Sequence, residues 1–384
     1  MKRRLLPILM TLVLVCALPI WAAFVTSGDV TNPLLTTAAA SEMALQERIN
    51  QANAGATITL NSNTEIAATL QITKNLTLDL NGYVLKMGGT GRVIHITSSA
   101  EVEIKDGESN RAHTGEYAAL PAGGVITGGK AESGGGILLD GGGTLKLTGG
   151  CITDCRATDT GGGGVDLRGS TAILYISGTA RIENCTAGEM WGANAIFNSG
   201  TMYADGGTVD GTVNNQGTIK RSEGTADMDM TVFNKAVYNR AGKSIEAGIY
   251  KGTVENRGSI TGGTFYGGVT DDGGTIRGGT FAVTFDRGDG TKTEPTLVEW
   301  NGKVSRPTSD PEKSGHTFVG WYLGDALYDF NTPVNAPLTL TARWEEVPSS
   351  GGNYYYHPTT DTKADDAKGS PKTADPGVAL YAAL

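Results

Sequence analysis

The chain has 384 residues, 31 of them basic and 40 acidic, for a formal charge of −9 at neutral pH. Such a surface does not suit a phosphate backbone, and no stretch interleaves basic with aromatic residues, so nucleic acid is excluded as a partner. The 56 glycines follow no Gly-x-y period, which excludes collagen and points to many tight turns between short strands.

Lys2, Arg3 and Arg4 precede the apolar stretch Leu5 to Cys16, and Ala22 and Ala23 follow Pro19. This is the layout of a secretory signal peptide, assigned to residues 1–27. An uncleaved membrane anchor is the alternative, because Leu5 to Val25 nearly reaches spanning length. Val25 with Ser27 competes as the cleavage point, and Val15 stands where a lipid anchor on Cys16 wants a small residue. Removing the three basic residues takes the mature charge to about −12. Residues 28–41 read as a linker.

Residues 42–54 place Leu45, Ile49 and Ala52 on one helical face, with Ser41 able to cap the start and Gly55 following the end. Strand-like alternation follows at Thr57 to Leu60, Leu70 to Ile72, Leu76 to Leu80, Val93 to Ile96 and Val102 to Ile104, closed by Asn81-Gly82 and Asp106-Gly107. A helix before the first strands is placed to cover both an open apolar end and an unpaired strand edge. Leu45-Gln46-x-x-Ile49-Asn50-x-Ala52, then Gly55-x-Thr57-Ile58-x-Leu60, then Leu76-Thr77-Leu78-Asp79-Leu80-Asn81-Gly82 together resemble the start of right-handed parallel β-helix proteins related to pectin lyases. The resemblance implies a fold for residues 42–281. It carries no activity, since this fold serves lyases, hydrolases and non-catalytic surface proteins alike.

Between Gly134 and Glu189 the repeat interval is about 28 to 30 residues, and from Ile196 to Phe281 it shortens to roughly 15 to 17, with one longer interval between Val213 and Val237. The shorter copies read Ile196-x-Asn198-x-Gly200-x-Met202, Val213-x-Asn215-x-Gly217-x-Ile219 and Val254-x-Asn256-x-Gly258-x-Ile260, with looser copies at Val237 and Val269. A short element with near-fixed apolar and turn positions buries its apolar face only by stacking on its neighbours, which is a solenoid. Asn198, Asn215, Asn239 and Asn256, with Asp271 as a last step, form an expected amide ladder. Gly262-Gly263-Thr264-Phe265 and Gly278-Gly279-Thr280-Phe281 predict a corner of stacked phenylalanines.

Export leaves Cys151, Cys155 and Cys185, an odd number that cannot all pair within the chain. Aligning Ile152-Thr153-Asp154-Cys155 with Ile182-Glu183-Asn184-Cys185 stacks Cys155 on Cys185 at about 4.8 Å, so a disulfide is geometrically possible. Buried free thiols are the favoured reading. The spacing fits no zinc pattern, and neither a metal nor a cofactor is expected.

From Ala282 the style changes. Val283-Thr284-Phe285-Asp286, Gly315-His316-Thr317-Phe318-Val319-Gly320-Trp321-Tyr322, Tyr328-Asp329-Phe330 and Leu338-Thr339-Leu340-Thr341-Ala342-Arg343-Trp344 closely resemble one Listeria-Bacteroides repeat, the B repeat of internalin-type surface proteins, over residues 282–346. The resemblance implies a small β-grasp-like module, often set between a working domain and the cell wall. His316 stands where a tyrosine is usual, and Arg287-Gly288-Asp289 replaces a plainer turn; glycine and aspartate in a hairpin explain that triplet without an adhesive role. Residues 347–369 read as a disordered linker. Ser370, Pro371, Lys372, Thr373 and Ala374, followed by residues 375–384, resemble a sortase-type cell-wall sorting signal, with cleavage implied after Thr373. Ala374 takes the usual glycine position, and Val378 to Leu384 read as the first residues of a membrane span in a truncated sequence.

Cleavage of polysaccharide needs converging carboxylates on an exposed face. Stacking puts Leu138 on Asp166 and Asp140 on Arg168, the latter an expected cross-coil ion pair, while Asp159, Asp166, Glu183 and Glu189 read as a solvated acidic face. His95, His113, His316 and His357 are scattered, so no catalytic residue is assigned. The sequence thus describes an all-β chain, a parallel β-helix solenoid with an N-terminal capping helix followed by a small β-grasp-like repeat. Its expected role is that of a monomeric, non-catalytic cell-surface protein of a Gram-positive bacterium, whose partners are sortase, peptidoglycan and a glycan or protein ligand. Tyr175, Trp191, Tyr203, Tyr250 and Tyr266 are the expected contact residues, the packing role being weighed beside contact for each. A β-helix polysaccharide lyase or glycoside hydrolase, and a passive stalk, are the alternatives.

Overall fold

The structure is a computed structural model that describes residues 45–97, 99–188, 193–226 and 229–347. The expectations for the leader, both linkers, the sorting-like tail and Trp191 fall outside the described residues. Two long sheets dominate, one of 22 strands and one of nine, with a third of two strands. In the nine-stranded sheet every neighbour is parallel and in register, stepping from Leu70 to Ile94, Ile137, Val165, Ile196, Val213, Val237, Val254 and Val269. The strand partners of the repeated apolar residues are therefore the next copies of the same residues. This is the parallel solenoid that the repeat predicts, with long turns up to Ile196 and short ones beyond it.

Period-two alternation decides which residues point inward. Ile137, Val165, Ile196, Val213, Val237 and Val254 are fully buried, and one core runs the length of the column. Along one corner Phe233, Tyr250, Phe265 and Phe281 stack with ring centroids 5.0, 4.9 and 5.3 Å apart. The expected phenylalanine corner is thus longer than its two repeated motifs, because Tyr250 occupies the register position of Phe265.

The amide ladder runs as expected. Nδ2 of Asn198 donates to Oδ1 of Asn215, Asn215 to Asn239 and Asn239 to Asn256, each at 2.8 Å, and Asn256 donates to Asp271 at 3.0 Å. The Asn-x-Gly spacing has a local cause: Oδ1 of Asn198, Asn215 and Asn256 also accepts the N–H of the glycine two residues on, at 3.1 Å for Gly200, 3.3 Å for Gly217 and 3.2 Å for Gly258. A side chain at Gly217 would bring its Cβ within 2.0 Å of the Gly200 carbonyl, so the turn admits no other residue without moving.

Both ends of the column are closed. The helix at residues 45–51 buries Leu45 and Ile49 against the first coil. Its Gln46 amide accepts from the N–H of Gln71 at 2.9 Å and donates to the Gln71 carbonyl at 3.1 Å, filling the edge that a missing strand would fill. Arg48 covers the carbonyl of Thr59 in the same way. At the other end the strand Thr280–Asp286 belongs to two units. Thr280 and Phe281 continue the solenoid from Thr264 and Phe265, whereas Val283 to Asp286 pair in parallel with Leu338 to Thr341. The expected boundary at residues 281 and 282 therefore falls inside one continuous strand.

The C-terminal unit is β-grasp-like and built without a helix. Its first and last strands pair in parallel, and His316–Leu323 adds antiparallel to Leu338–Glu346. Phe285, Trp321, Phe330, Phe318 and Trp344 interlock as its aromatic core. The Arg287-Gly288-Asp289 turn is held by the structure's own bonds: Trp344 donates to the Arg287 carbonyl, Gly288 to Asp286, and Thr291 to Asp289.

Cys151, Cys155 and Cys185 are buried and free. Asp154 and Asn184, at equivalent positions before Cys155 and Cys185, both take left-handed backbone (φ 52° and 51°), which the short polar side chains tolerate.

Candidate functional site

The long sheet bends at one corner of the column, and in several coils the residues there are glycines. Gly149 and Gly150 take the corner in one coil, Gly206 and Gly207 in another, then Gly262 with Gly263 and Gly278 with Gly279. Backbone stacked without side chains leaves a trough parallel to the column axis. Three hollows occupy it. The first, about 320 Å³, lies between Asp106, Asn110 and Arg181. The next, about 600 Å³, shares Thr179 and Arg181 with it and adds Asp205 and Asp229. The last, about 440 Å³, shares Met230 with the second and is bounded by Glu246, Thr261, Glu299 and Trp300.

The longer interval between Val213 and Val237 explains the middle of this trough. Its extra residues form a loop whose base is clamped by the Asp205 carboxylate, which accepts from the Ser222 N–H at 2.8 Å, the Ser222 hydroxyl at 2.6 Å and the Thr225 hydroxyl at 3.1 Å. Beside this clamp Arg221 lines the third hollow, while Met230 lines both the second and the third.

One outward column of side chains runs beside the trough. Lys146, Tyr175, Tyr203 and Lys220 are register partners on successive coils. The Tyr175 and Tyr203 rings stack at 4.4 Å with planes 6° apart, and the Lys146 and Lys220 ammonium groups lie 5.9 and 4.9 Å from the outer ring faces. Both faces of both rings are therefore met from within the protein. The edges and hydroxyls remain for a ligand, and burial, followed by the neighbouring Tyr203, pushes the Tyr175 hydroxyl above its ordinary pKa.

The other expected contact residues divide. Tyr266 is 41% exposed and lies two residues beyond Thr264, which lines the third hollow. Tyr250 is corrected: it is fully buried, its ring sits between Phe233 and Phe265, and its hydroxyl donates to the Ala247 carbonyl at 2.7 Å. An isolated tyrosine in a strand gives no sign of its face; register with Phe265 does. Sequence reasoning missed Trp300, Arg181 and Asp205. The recurrent Gly-Gly-Thr-Phe motif was the available signal for the trough floor.

The acidic residues also depart from expectation. Asp166 is only 1% exposed and so belongs to no solvated face. Arg168 does not reach for Asp140 as expected; its Nε lies 3.4 Å from Asp166, and it donates to the Ser133 hydroxyl at 2.6 Å, while Asp140 lies 3.5 Å from His95. Burial raises the Asp166 carboxyl above its usual range, with Arg168 opposing, and burial together with Arg92 lowers His95. A carboxyl raised in the folded state gives stability that is present below its ordinary pKa and is lost as pH rises through the raised value. Asp166→Asn is expected to gain stability relative to the parent chain as pH rises across that window. Urea midpoints across the acid-to-neutral range check this; a loss with rising pH would contradict it.

Among the described residues none of these three hollows brings three carboxylates together: Glu246 and Glu299 line one, Asp205 and Asp229 another, Asp106 the remaining one. Asp106 is also committed to the N–H groups of Gly82 at 2.6 Å and Gly124 at 2.7 Å. Among the described residues no group of three His, Cys, Asp or Glu side chains could hold a metal ion.

Comparison with known proteins assigns the C-terminal unit. Residues 281–343 match the Listeria-Bacteroides repeat domain. The match starts at Phe281, inside the shared strand. A protein of Evansella cellulosilytica described as a Gly-rich membrane protein is 36% identical over 67 residues, and a second from that organism, described as a membrane protein, is 34% identical over the same length. Each alignment covers 16% of this chain and spans 8% and 10% of those relatives' own lengths. No solved structure matches.

Proposed function

We propose that the chain is a non-catalytic surface protein that holds an extended, uncharged glycan in the trough along its solenoid. The observation that carries this reading is that the three hollows follow one another along the column and share lining residues, Thr179 and Arg181 between the first two and Met230 between the last two. A linear ligand fits a linear site, and many weak contacts repeated along stacked coils add up. The sign of the lining argues against polyanions, since Asp106, Asp205, Asp229, Glu246 and Glu299 outnumber Arg181 and Arg221. Threonine hydroxyls, glycine backbone and the tyrosine edges of the flanking column supply hydrogen bonding of the kind that hydroxyl-rich sugars use.

Display at the surface is supported by the Listeria-Bacteroides repeat match, by relatives described as membrane proteins, and by the leader-like and sorting-like ends. In this reading sortase joins Thr373 to peptidoglycan and the protein acts as a monomer, both column ends being covered. Binding is favoured over cleavage because the carboxylates are spread along the trough and two of them brace loops.

A glycan array probed with the secreted chain, scored for both retention and released product, tests the proposal. Retention of linear neutral glycans without product is expected. Product would establish a lyase or hydrolase instead, and silence across the array would leave only a stalk.

A further inference from the structure

The trough does not run off the end of the molecule. Over the last coils its floor is Gly262-Gly263 and then Gly278-Gly279, and the next level is occupied by Thr296–Glu299 of the repeat domain, which pairs antiparallel with Thr280–Asp286. The N–H of Trp300 donates to the Gly279 carbonyl at 2.8 Å, so Trp300 stands at the place where another coil would put its glycine corner. An indole thus replaces a bare backbone. The next residue, Asn301, takes left-handed backbone (φ 62°), and its N–H donates to the Val334 carbonyl at 3.0 Å and to Oδ1 of Asn335 at 3.2 Å. That turn fixes Trp300 in position. Glu299, beside it, is the register partner of Thr280, and both line the same hollow.

Resting on the trough-binding reading, we propose that the repeat domain supplies the end wall of the binding site, and that this wall makes the last hollow a subsite for the terminal sugar ring of a linear, uncharged glycan. The indole of Trp300 provides the apolar surface against which a ring packs, Glu299 accepts from ring hydroxyls, and Thr261 and Thr264 line the facing side. Tyr175 and Tyr203 have their faces met by each other and by lysines, whereas Trp300, partly buried and packed against the core, stacks on no other ring among the described residues and lines the hollow with the rest of its surface. The repeat domain is then part of the recognition site as well as the spacer that its family resemblance implies. A glycan is bound by its end, with the rest of the chain leading back along the trough towards Arg181.

The test uses the secreted chain and linear neutral oligosaccharides chosen from the array, titrated calorimetrically with free ends and with either end capped by a bulky group. Capping one particular end is expected to abolish binding while capping the other is tolerated. Trp300→Ala is expected to lower affinity roughly tenfold or more, as loss of a buried aromatic anchor does, with Trp300→Phe intermediate. Glu299→Gln, which leaves the packing intact, is expected to weaken binding less, and Asn110→Ala at the far hollow to leave the shortest oligosaccharides unaffected. Thermal melts confirm that each variant is folded. Equal binding of glycans capped at both ends, or unchanged affinity in both Trp300 variants, overturns the end subsite while leaving trough binding in place. Failure of every uncapped oligosaccharide to bind the parent chain overturns both.

Discussion

Asn239→Ala is expected to destabilise the chain by roughly 2–4 kcal/mol, because it removes the middle rung of a buried ladder and leaves its neighbours short of partners. Asn239 accepts from Asn215 at 2.8 Å and donates to Asn256 at 2.8 Å and to the Ser259 carbonyl at 3.3 Å. With alanine there, an N–H of Asn215 loses its acceptor in a position without access to water. Asn239→Asp should also be harmful at neutral pH, since a carboxylate accepts from Asn215 but has nothing to donate to Asn256. Asp271 avoids this conflict because it stands at the exposed last rung and only needs to accept. Denaturant unfolding measures the loss. A change below about 0.5 kcal/mol would show that the ladder adds nothing beyond packing.

Ending the chain after Phe281 is expected to promote self-association and to fray the final coils. Phe281 is fully buried, and its partners include Phe265 below and Val298 above. Without the repeat domain the strand at Thr280 offers open hydrogen-bonding groups, and the exposed Phe281 ring alone costs about 2–3 kcal/mol. Light scattering should report association, and hydrogen exchange should show early loss of protection from Val254 onward. A monomeric fragment with the parent melting temperature would mean that the solenoid closes itself and that the shared strand is incidental.

The two expectations draw on different kinds of information. The ladder was legible because its signal is a residue type returning at a nearly fixed interval, and an amide that reappears on every coil has little to bond except its own copies. The capping helix was legible for the same local reason, through the spacing of Leu45, Ile49 and Ala52. The trough was not. Arg181, Asp205, Met230 and Trp300 lie far apart in sequence and share no motif, and only the stacking of glycine corners brings them to one line. Asp166 misled because a charged residue in an alternating strand normally faces water; its strand does face outward, but Ser133 and Arg168 from the long turns fold over it.

Sequence by itself therefore determined the solenoid, its two coil lengths, its polar spine and the character of the unit that follows, since each is written in spacings along the chain. Tertiary structure decided that Tyr250 is core, that Tyr175 and Tyr203 present edges and not faces, and that Trp300 closes a trough whose other parts come from separate coils. The physical reason is that register along a strand repeats every two residues and can be read locally. A groove across stacked strands depends on which residues meet at equal height, and that is fixed only once every turn has found its neighbour.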